Sequence, residues 1–309
     1  MQTKFGMEGY FTLTKICAKT GYIKEKVGPF KNIITNSGLE RLATAGVLNG
    51  CAVGTGSAPE SVNDVALSQY LARTSTSGPG DTTASLTGST VSPYYARKVR
   101  VWRFSAGSAT GNISEVGVIH TYSGAYPLWS RTLVKDSNGD PVTITVLSDE
   151  ILDVTYECRV YVYEAFTENV FSLDGVTTNV KTGYGSMSDA AVANILQYGA
   201  RTTRAGLEAT VGVLGAAPNR TPSGTSITAG AAPTYTLADD AANRLVTQKV
   251  VFPPGSYTTA SGIGSMSFRD TSSAGIRPTV VFEFSPPLVK QADKEVTLTF
   301  TISWARHTP

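Results

Sequence analysis

The chain has 309 residues, 41% hydrophobic and 16% charged, with 26 Lys and Arg against 24 Asp and Glu. A formal net charge of +2 gives no long-range field for capturing nucleic acid, and no run of basic residues forms a stripe. No stretch reaches the ~20 apolar residues that cross a bilayer, so membrane insertion is not expected.

Thr, Ser, Val, Gly and Tyr are abundant, the vocabulary of strands and tight turns. The three cysteines, Cys17, Cys51 and Cys158, are widely spaced and include no Cys-x-x-Cys. Neither a disulfide framework nor a zinc site is indicated. The opening "MQTKFGMEGYF" has no apolar core of signal-peptide length, so the expectation is a chain made in a cytoplasm that stays soluble or assembles there.

In chain order, "YFTLTKICAKTGYIKEKV" reads as two strands joined by a Thr20-Gly21 turn. "ITNSGLERLATAG" reads as a short helix capped by Asn36 or Ser37, with Leu39 and Leu42 inward and Gly46 as its left-handed stop. "VGTGSAP" (53–59) raises the question of a phosphate cradle. A phosphate loop needs Gly-x-x-x-x-Gly-Lys-Ser/Thr, whereas Glu60 here follows Pro59, so a turn is expected. "SVNDVALSQYLA" reads as helical, and the polar segment 74–93 as a loop or exposed arm.

In "RKVRVWRF", Trp102 and Phe104 fall out of phase with Val99 and Val101, which a bulge would reconcile. "GNISEVGVIH" and "DPVTITVL" read as strands. In "DSNGDP" (136–141) the acids are spaced somewhat like those of a calcium loop, but an Asn138-Gly139 hairpin turn explains them better. "ILDVTYECRVYVYE" alternates with period two. Leu152, Val154, Tyr156, Cys158, Val160 and Val162 face one way, and Asp153, Thr155, Glu157, Arg159, Tyr161 and Tyr163 the other.

The second half carries echoes of the first in the same order. "EGYFTL" (8–13) returns as "ENVFSL" (168–173), "TGY" (20–22) as "TGY" (182–184), and the capped helix as "SDAAVANILQYG". "GSAP" (56–59) returns as "GAAP" (215–218), "NISEVGV" as "GIGSMSF" (262–268), and the long strand as "EVTLTFTISW". The pattern predicts a tandem duplication: a mainly β chain of two β-sandwich-like domains, residues 1–165 and 166–309, each with a short helix.

No constellation carries catalysis. His120 reads as a partly exposed strand-end histidine and His307 as part of a fraying terminus. No catalytic, cofactor-binding or metal-binding residue is expected. Tyr94, Tyr95, Tyr161 and Tyr163 are candidates for a subunit-docking or sugar-stacking surface.

Several phrases together resemble a family of structural proteins of tailed bacteriophages and prophages, usually labelled tail, tail-fibre or virion structural proteins. They are "FKNIITNSGLERL", "CAVGTGSAPESVNDVAL", "GNISEVGV" and "LWSRTLVKDSNGDPVTITVLSDEILDVTYECRVY", and the likeness spans roughly residues 10–165. It implies a non-enzymatic virion component, in the tail, baseplate or fibre-attachment region. Its partners would be copies of itself, as a trimer or hexamer, and other virion proteins. A receptor- or glycan-binding tip meeting host surface glycan, and a head decoration or collar protein, remain alternatives.

Overall fold

The computed structural model describes residues 1–82, 86–89, 91–120, 124–173, 175–185, 195–196, 205–217, 220–270 and 280–308. Two long strands organise its broadest sheet. β1 (Gln2–Cys17) and β12 (Glu150–Val162) run antiparallel, from Phe5 opposite Val162 to Cys17 opposite Glu150. Alternation in β12 places Leu152, Val154, Tyr156, Cys158 and Val160 in the core, and puts half-buried Thr155, Glu157 and Arg159 on the opposite face.

β12 also pairs with β7 (Tyr95–Phe104), and β7 with β6 (Leu86–Ser89). The bulge expected in β7 is absent: its register with β12 is unbroken from Phe104 to Tyr95. The phase problem is solved instead by turning two cations inward with Trp102 and Phe104. Lys98 is buried, and burial, then the Arg100 charge, pull its pKa down to about 8. Arg100 pairs with Asp81 at 2.8 Å. The polar segment before β7 is not a free arm: Ser77 bridges Trp102 and residues 86–89 form the edge strand; residues 83–85 and 90 lie outside the described residues.

The other edge of β1 is shared end to end. Gln2–Met7 pair in parallel with β20 (Val296–Arg306), and Tyr10–Ile16 pair antiparallel with β2 (Ile23–Lys31). β20 continues to β17 (Leu245–Phe252) and β16 (Thr234–Asp240). One eight-stranded sheet therefore draws on both halves of the chain. The expected boundary at 165/166 falls between β12 and β13 (Thr167–Leu173).

Two five-stranded sheets form the facing layer. The first has the order β3 (Ile33–Ile34), β10 (Leu128–Leu133), β9 (Glu115–Ile119), β4 (Gly50–Gly54), β5 (Tyr70–Thr74). The second has the order β13, β14 (Val176–Tyr184), β19 (Val280–Leu288), β18 (Ile263–Asp270), β15 (Ala205–Thr210). A small ladder joins β8 (Gly111–Ile113) to β11 (Ile144–Val146). Between the layers, the Trp129 indole donates to the Tyr156 hydroxyl at 2.9 Å, and the Phe300 ring sits 5.1 Å from Phe268 and 5.3 Å from Phe282. The result is a mainly β, sandwich-type fold.

The two halves pair their strands in similar order. The run β12-β7-β6 is matched by β20-β17-β16, and β3-β10-β9-β4 by β14-β19-β18-β15. They differ at the first strand: β1 lies against β12, whereas among the described residues β13 pairs only with β14 and the edge of β20 is held by β1. The "TGY" echo is not structural, since Gly21 turns the chain with φ 72° while Gly183 is inside β14. The second helix expected at 188–199 lies outside the described residues except for Ile195 and Leu196, both buried, and so does Pro218.

Helix α1 (Asn36–Arg41) is capped by Thr35, not Asn36 or Ser37: Thr35 Oγ1 accepts the Gly38 amide at 3.0 Å. The hydroxyl belongs there because the cap must be the last extended residue, and Thr35 is (ψ 163°). Leu39 and Leu42 are buried, but Gly46 is not left-handed. This helix anchors the C-terminal half. Trp304 donates to Leu39 O at 2.7 Å and Arg306 Nε to Ile34 O at 2.6 Å. Arg306 and Arg244 both reach Asn36 Oδ1 at 2.7 Å.

Candidate functional site

The "VGTGSAP" stretch leaves β4 and wraps a buried ion pair. Glu115, at the start of β9, is fully buried, and Arg131 in β10 is 2% exposed. Arg131 reaches Glu115 through Nε at 2.9 Å, Asp64 through Nη1 at 2.7 Å, and the carbonyls of Ala58 and Pro59 at 2.8 and 3.2 Å. Glu115 also accepts the amides of Gly56, Ser68 and Gln69 at 3.2, 3.0 and 2.7 Å. The loop amides that suggested a phosphate cradle thus surround the chain's own carboxylate. Burial pushes the Glu115 pKa up, but these amides and Arg131 outweigh it and hold it below the usual range. Lys135 bonds Glu60 at the rim.

The same bonds overturn the helix expected at "SVNDVALSQYLA". The amides of Ser68 and Gln69 point at Glu115 rather than at helical carbonyls, and the chain enters β5 at Tyr70.

The candidate tyrosines lie near the junction where β20 and β2 meet along β1. Tyr161 is on the face opposite the core, as the alternation predicts, yet only 6% exposed. The His307 ring covers it and the Tyr95 ring lies 5.1 Å away. Its hydroxyl donates to Glu8 Oε1 at 2.7 Å, Tyr10 donates to the same oxygen at 2.6 Å, and Lys31 reaches Oε2 at 2.8 Å. Burial raises the Glu8 pKa, but these three donors together bring it below its ordinary value. Burial, then the Glu8 bond, push the Tyr10 hydroxyl up to about 12. Arg159 lies over the rings of Tyr10 (4.4 Å) and Tyr95 (5.0 Å), and shares Glu157 with Arg97. Tyr94 is half-buried and Tyr163 is 37% exposed, with Lys4 5.3 Å from its ring.

The structure thus brings Tyr95 and Tyr161 together and leaves Tyr94 and Tyr163 apart from their contact. The residues that complete the cluster, Glu8, Tyr10, Lys31, Arg159 and His307, are not legible as a group, because they come from three strands and the segment after β20. Strand parity around Tyr161 was the available signal, but the pairing of β1 with both β12 and β20 is needed to use it.

Both histidines differ from expectation. His307 does not fray: its amide donates to Met7 O at 2.7 Å. His120 is 3% exposed; burial, then the Arg41 charge, lower its pKa to about 4. In the 136–141 turn, the Asp136 carboxylate accepts the amides of Asn138 and Asp140, and Gly139 has φ 89°. Among the described residues no three His, Cys, Asp or Glu side chains group as a metal site would need. No helix among them is long and apolar enough to cross a membrane.

No protein-family model, curated protein or solved structure matches this chain.

Proposed function

We propose that this protein is a structural component of a tailed-phage virion, acting in the tail, baseplate or fibre-attachment region through contacts with its own copies and other virion proteins. One observation carries the reading. Stretches by which the chain resembles virion proteins, "CAVGTGSAPESVNDVAL", "SEVGV" and "LWSRTL", converge on the buried Arg131–Glu115–Asp64 staple. These stretches are therefore architectural, placed to hold sheet and loop in one shape.

The similar strand order of the two halves supports descent from a duplicated unit. Three chains of this kind present six similar surfaces, which suits an adaptor between threefold and sixfold parts of a tail. Covalent chemistry has no part in this reading. Native mass spectrometry of the purified protein tests it: a trimer or hexamer is expected, and a chain that stays monomeric at all concentrations argues against it.

A further inference from the structure

The outer side of the β4–β5–β9 sheet carries an open, two-lobed groove that no part of the staple or the tyrosine cluster uses. Its apolar lobe, about 200 Å³, has a floor of Ala52, Leu67, Ile119 and Leu128, a small cluster separate from the main core. Tyr70, 56% exposed, and Tyr126, 42% exposed, line it too. The second lobe, about 410 Å³, is polar and includes Asn49, Thr74, Ser75 and Thr76. Arg73 and Tyr126 line both lobes, with the guanidinium 3.8 Å over the Tyr126 ring. Arg73 is the one charged side chain among the described residues lining either lobe, and no described carboxylate pairs with it.

We propose that this groove binds an acidic saccharide. Exposed aromatic rings beside a short apolar floor suit the C–H face of one sugar ring. The Arg73 guanidinium, stacked on Tyr126 and with no carboxylate among the described residues beside it, matches a ligand carboxylate. The larger lobe offers neutral donors and acceptors for the hydroxyls of a neighbouring sugar. A simple fatty acid fits less well, because the apolar lobe is the smaller of the two and the other is polar. This inference does not rest on the virion reading, and its failure leaves that reading intact.

Calorimetric titration of the full chain tests it with three probes: a galacturonic acid trisaccharide, the neutral galactose trisaccharide and octanoate. The acidic trisaccharide is expected to bind, with the neutral one at least tenfold weaker and octanoate weaker still. Arg73→Gln and Tyr70→Ala, both at exposed side chains, are each expected to weaken the acidic trisaccharide at least tenfold while leaving the melting temperature unchanged. No binding of the acidic trisaccharide, equal binding by Arg73→Gln, or tighter binding of octanoate would overturn the proposal.

Discussion

The imidazole of His307 lies flat on the phenol ring of Tyr161, with centroids 3.7 Å apart and planes within 7°. This stack joins the segment after β20 to β12, above the point where β1 passes from β20 to β2. The Tyr161 hydroxyl continues the contact to Glu8.

Two substitutions separate the parts of that seam. Tyr161→Phe keeps the stack and loses the bond to Glu8; His307→Ala does the reverse. Each is expected to lower unfolding free energy by about 1 kcal/mol, read as a shift of the urea midpoint at neutral pH. An unchanged midpoint in both would mean that the seam contributes nothing.

The histidines set an acid limit. His120 and His307 are held neutral in the fold, by burial in each case, with pKa values below 6.5. The unfolded chain takes up those protons first as pH falls, so the stabilisation is complete above pH 6.5 and declines below it. For His120, with a folded value of about 4, the loss approaches roughly 3 kcal/mol by pH 4. Stability measured from pH 7 to pH 4 should fall, and His120→Phe should flatten the slope; an unaltered slope contradicts the assignment.

The staple gives the largest expected losses. Arg131→Met leaves Glu115 buried with no cation, and Glu115→Leu strands three amides and the Arg131 Nε, while Asp64 and two carbonyls still hold the guanidinium. Each is expected to cost about 3–5 kcal/mol, with Glu115→Gln milder than Glu115→Leu. Thermal denaturation of the three variants gives the order, and a Leu variant as stable as the Gln variant would refute it.

Gly56 tests the reading of the turn. A Cβ there would run into Ser68 Oγ and Glu115 Oε1, and would come within 2.9 Å of the Gln69 amide nitrogen. Gly56→Ala is expected to cost about 2 kcal/mol or more, while exposed Ser57→Ala stays within about 0.5 kcal/mol. Equal melting temperatures for the two would show that the turn does not need the glycine.

Period-two alternation made β12 legible, because every second side chain from Leu152 to Val160 meets the core. It failed in β7, where Lys98 and Arg100 take core-facing positions that polarity alone assigns to solvent. The stretch 53–59 ends β4 and continues as an irregular loop rather than a regular turn, and Glu115 as its occupant was not legible, since the partner Ser68 is 47 positions away in sequence. The apolar spacing at 61–72 resembles a helix only until the Glu115 carboxylate takes up the loop amides. The pairing of β1 with β20 and the groove at Tyr70 and Tyr126 depend on contacts between distant segments, for which the local pattern holds no signal.

If the chain works as proposed, it assembles into a virion. The most direct measurement is a cryo-electron reconstruction, with peptide mass spectrometry, of phage particles purified from the producing cells. Density for the eight-stranded sheet and its two facing sheets is expected at a threefold or sixfold position in the tail, with the chain present in fixed copy number. Particles that lack the chain entirely, while it accumulates as free monomer in the lysate, would contradict it.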